Sequence, residues 1–68
     1  VSTPAKTYEW AERTLREHAA RWGGLTTAAD GLLAASARSL VGGYDPDAVA
    51  RMEAIVAAEA ALRAGGLS

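Results

Sequence analysis

The sequence predicts an all-α fold: three short antiparallel helices in one small bundle over residues 1–68, completed by self-association or by a partner. Three observations predict it. Apolar residues recur at three- and four-residue spacing along the chain, and no stretch alternates as a strand would. Paired glycines at Gly23-Gly24, Gly42-Gly43 and Gly65-Gly66 divide the chain into three similar lengths. Half of the residues are apolar, yet Ala is the commonest of them and Phe is absent, a composition that favours close-packed helices over a bulky core.

Helices are expected over about 7–22, 27–41 and 46–64, with ends uncertain by about two to four residues. Val1 to Lys6 reads as a loose arm, and either Thr3-Pro4 or Thr7 supplies the start of the first helix. Tyr8, Ala11, Leu15, His18, Ala19 and Trp22 then share one face. Lys6, Arg13, Glu17 and Arg21 share the other, with Trp10 in their midst. Gly23-Gly24 ends this helix.

In the second helix Thr27 and Asp30 have capping-box spacing, and Leu33, Ala37 and Leu40 form the main apolar stripe. Gly31, Ala35 and Ser39 stand four apart on another side, where small side chains let a neighbouring backbone approach. Gly31 costs the helix about 1 kcal/mol relative to Ala.

The third helix has the clearest boundaries. Asp45 caps it, Pro46 fits its first position, Asp47 suits its positive end, and Gly65-Gly66 stops it. Tyr44 is placed to staple onto Val49, and Leu67 to fold back on the helix end. One side carries Val49, Met52, Ile55, Val56 and Leu62, and the opposite side carries Ala50, Ala54, Ala57, Ala61 and Ala64. A helix apolar on both sides is expected to be buried on both. The first side is assigned to the chain's own core and the alanine row to another molecule. The expected core is Tyr8, Leu15, Trp22, Leu33, Leu40, Met52, Ile55 and Leu62.

Bulk properties narrow the function. A chain of 68 residues forms a marginal domain, and with no Cys and a single His neither a disulfide nor an all-protein zinc site is expected to support it. A net charge of −1 with mixed signs gives no broad attraction to nucleic acid or acidic lipid. No apolar stretch reaches the roughly 18 residues of a membrane span, and the opening residues lack the apolar core of a signal peptide. A soluble, cytoplasmic protein is expected. The Ala-, Arg-, Leu- and Gly-rich composition without Asn or Gln suggests a GC-rich bacterial genome or a phage.

No residue set supplies catalytic reagents. His18 has no nucleophile or orienting carboxylate beside it in sequence, so no catalytic, metal or cofactor residue is assigned and no enzyme activity is expected. Gly23-Gly24 with Thr26-Thr27 could meet a phosphate at a helix start, but no Lys follows as in a P-loop. Glu59 and Arg63, four apart in the favourable order, read as an intrahelical pair or as a register-setting pair across an oligomer seam. Trp10 beside Arg13 has the composition of an interface anchor. The expected function is therefore a helical interaction and oligomerisation module or a small accessory subunit. Its partner is a second copy or a larger protein, and its interface is drawn from Trp10, Arg13, Ala50, Ala54, Ala57, Ala61, Glu59 and Arg63. The alternative is a small nucleic-acid-associated adaptor, regulatory or of the phage DNA-packaging type. Against it, Glu9, Glu12 and Glu17 offset Arg13, Arg16 and Arg21.

Overall fold

In a computed structural model describing residues 5–67, with Ala5 described by its backbone alone, three helices pack against one another and no strand occurs among the described residues. Helix α1 spans Ala5–Trp22, α2 spans Leu25–Ala37 and α3 spans Pro46–Ala64. A single 3₁₀ turn, Arg38–Leu40, continues α2. The expected Thr3-Pro4 start of α1 lies outside the described residues.

Local signals set the ends. The Asp45 carboxylate accepts hydrogen bonds from the Asp47 N–H at 3.0 Å and the Ala48 N–H at 3.4 Å, and Pro46 follows as the first helical residue. A cap of this kind contributes roughly 1 kcal/mol. At the far end the Gly66 N–H donates to Arg63 O and the Leu67 N–H to Leu62 O, at 3.1 and 3.0 Å. This is a Schellman motif, with Gly66 at φ +98° where a side chain would be strained. Leu67 folds back onto the core as expected. The turn after α1 is tighter than expected. The Gly24 N–H donates back to Ala19 O, and the Gly24 carbonyl already accepts from Ala28. Helix α2 therefore begins at Leu25, Thr26 and Thr27 lie inside its first turn, and the Thr27–Asp30 capping box does not form. Tyr44 is 80 % exposed and does not staple onto α3.

The core is small. Ala11, Leu15 and Ala19 of α1 meet Leu25, Ala28 and Ala29 of α2 and Ala54, Ile55, Ala58 and Leu62 of α3. Leu15, Leu25 and Ile55 are its largest fully buried side chains. Four expected core residues, Tyr8, Leu33, Leu40 and Met52, are only half-buried, and Trp22 is 47 % exposed. Leu40 leaves the stripe because the 3₁₀ turn advances about 120° per residue instead of 100°. Trp22 is the last residue of α1, so its ring lies along the bundle's flank instead of inside it.

That ring explains Gly31. A Cβ built there would lie 3.1 Å from Cζ3 of Trp22, whose other neighbour is the His18 ring at 4.5 Å between centroids. An aromatic ring, not a backbone, makes the close approach. Because Trp22 is half-exposed, its ring has room to yield by a few tenths of an ångström. Gly31→Ala is then expected to raise stability by up to about 1 kcal/mol through helix propensity. A lower melting midpoint would show that the ring is pinned.

Candidate interaction surface

The wide buried arc of α3 decides which residues it offers to solvent. Flanked by two helices, it buries Ala48, Ala54, Ile55, Ala58 and Leu62, an arc that takes residues from both sides of the expected division. The alanine row is consequently not one surface. Ala54 is fully buried inside the chain and Ala50 is half-buried, whereas Ala57 and Ala61 remain exposed. Ala61 borders a hollow with Arg16 of α1, so the row turns toward the chain's own first helix. Close approach of α1 and α3 needs small side chains, and Ala54 and Ala58 supply them in the cluster with Ala11 and Ala19. The assignment of Ala54 to an external interface is corrected accordingly.

The open side of α3 is different. Val56 is 54 % exposed. With Met52, Ala57 and Glu53, and with Leu33 from α2, it lines a shallow groove of about 590 Å³ whose walls are mainly apolar. Glu53 is the one charged residue in that lining, and it has no ion-pair partner among the described residues. Sequence reasoning placed Leu33, Met52 and Val56 inside the bundle. The missed signal is that Val56 stands about 100° from Ile55 on the side away from Ala54, Ala58 and Leu62, outside the arc they define.

Trp10 does not stand free. It is half-buried against the core and borders a hollow with Lys6, Thr7, Asp47 and Arg51, so it ties α1 to the start of α3. Arg13 is exposed. Glu59 and Arg63 form the intrahelical pair, Arg63 Nη2 to Glu59 Oε2 at 2.6 Å, and the same Nη2 donates to Thr26 Oγ1 of α2 at 3.0 Å. The pair thus clasps two helices of one chain. The hollow at Gly23 to Thr27 includes Arg63, whose Nη2 is held by Glu59 and by Thr26. On α1, Arg16 pairs with Glu12 at 3.1 Å. His18 is half-buried, its Nδ1 meets no hydrogen-bond partner among the described residues, and its ring packs against Trp22. No helix is long and apolar enough to cross a membrane among the described residues. No family model, curated protein or solved structure matches the chain.

Proposed function

We propose that the chain is a non-enzymatic helical interaction module that works by docking an apolar helical surface onto the open side of α3, as an oligomer or as a small accessory subunit. The observation that carries this reading is the uncovered groove of Leu33, Met52, Val56 and Ala57. Its weight comes from the size of the core. Among the described residues Leu15, Leu25 and Ile55 are the largest fully enclosed side chains, and a core of that size gains comparatively little from its own burial. Leaving Val56 and its neighbours in water forgoes roughly 25 cal/mol for each Å² of apolar surface. Contiguous exposed apolar surface with a polar rim is the usual mark of a protein contact.

The test is photo-crosslinking in the expressing cell. A photoreactive side chain replaces Ala57 at the groove rim, and a control places it at the exposed Glu17 of α1. A discrete adduct from position 57, absent from position 17 and lost when Val56→Glu is added, is the expected result. Absence of any adduct from position 57 would overturn the proposal.

A further inference from the structure

The outward side of α3 has a pattern that selects its occupant. Val49, Glu53, Val56, Ala60 and Arg63 follow one another at spacings of four, three, four and three. At about 100° per residue they fall within an arc of about 80°, forming a seam of coiled-coil type. Val49 is half-buried, Val56 is 54 % exposed, and Glu53, Ala60 and Arg63 are exposed. The seam is complementary to its own reverse. Glu53 and Arg63 share a midpoint at Ala58, as do Val56 and Ala60, and as do Met52 and Ala64. A second α3 laid antiparallel across a two-fold axis at that level brings each carboxylate opposite a guanidinium. It also brings Val56 of each chain opposite Ala60 of the other. A parallel copy would instead set Glu53 against Glu53 and Arg63 against Arg63.

Resting on the reading of this side of α3 as a docking surface, we propose that its occupant is a second copy of this chain. The copies join antiparallel through α3, with Glu53 of each chain paired to Arg63 of the other. Arg63 can make both contacts. Its bonds to Glu59 and Thr26 both use Nη2, and a guanidinium carries five N–H donors. The contact is isologous, so every favourable pair occurs twice and the interface closes on itself.

Charge reversal with sedimentation equilibrium tests the register. Glu53→Arg disturbs no hydrogen bond or ion pair among the described residues, so circular dichroism should be unchanged while the dimer weakens by roughly tenfold or more. Arg63→Glu should weaken it at least as much, because it also breaks the clasp to Glu59 and Thr26, so its helicity is checked alongside. An equimolar mixture of the two variants should dimerise again, because each juxtaposition then joins opposite charges. The double variant E53R/R63E should self-associate like the parent, because each reversed charge again faces its opposite, whereas the loss on Glu53→Arg alone is what a parallel pairing could not produce. Dimerisation unaffected by Glu53→Arg, or a folded double variant that remains monomeric, would overturn the register. A parent chain that is monomeric but crosslinks through position 57 to a different protein would overturn the second copy and leave the docking surface standing. Loss of both results would remove the surface as well.

Discussion

Ile55→Ala is expected to unfold much of the protein at ordinary temperature. Ile55 is fully enclosed, with Leu15 and Leu25 one of the largest such side chains among the described residues, and it lies where all three helices meet in one cluster. Truncating such a residue costs about 2–5 kcal/mol in lost transfer energy and residual cavity. At about 0.05–0.15 kcal/mol per residue, a domain of this length has roughly 3–10 kcal/mol to lose. Leu33→Ala, at a half-buried groove position, should cost clearly less. Thermal melts followed by circular dichroism check the order. A midpoint for Ile55→Ala equal to that of the parent would place the core elsewhere.

Ala54→Leu is expected to be the other severe change, and Ala57→Leu its mild counterpart. The two positions are three residues apart on one helix, and Leu is nearly as good a helix former as Ala, so propensity cannot separate them. Burial does. Ala54 is fully enclosed in the alanine-rich cluster that α1 and α3 share, while Ala57 is exposed at the groove rim. Three added heavy atoms at Ala54 have to push the helices apart, a type of overpacking that costs about 1–3 kcal/mol or more. At Ala57 they extend into solvent or into the docked copy. Ala54→Leu should lower the melting midpoint by many degrees, and Ala57→Leu should leave it near the parent's in dilute solution. Equal midpoints would contradict the division of the alanine row.

The helices and their ends were legible because the signals that set them are local. Asp45-Pro46 and Gly65-Gly66-Leu67 act through bonds within a few residues, and the structure contains those bonds. The start of α2 was misread because Thr27 has the chemistry of a cap. The backbone at Gly24 had already closed the preceding turn, and Leu25 went straight into the core. The surface was harder to read, for two physical reasons. Alanine serves equally at a tight helix contact and on an open face, so its type does not tell Ala54 from Ala57. A helix between two neighbours buries an arc set by where both lie, and a single-helix projection does not contain that information. Val56 was therefore assigned inward beside Ile55, and the complementary seam of Glu53 and Arg63 became visible only when the outward side was known.

Sedimentation equilibrium of the parent chain beside Val56→Glu shows whether the open side of α3 joins two copies. The parent's mass should rise with concentration toward twice the 7.0 kDa of one chain. Val56→Glu should remain at one chain's mass with unchanged helicity. A parent that stays at one chain's mass up to millimolar concentration would contradict the joining of copies.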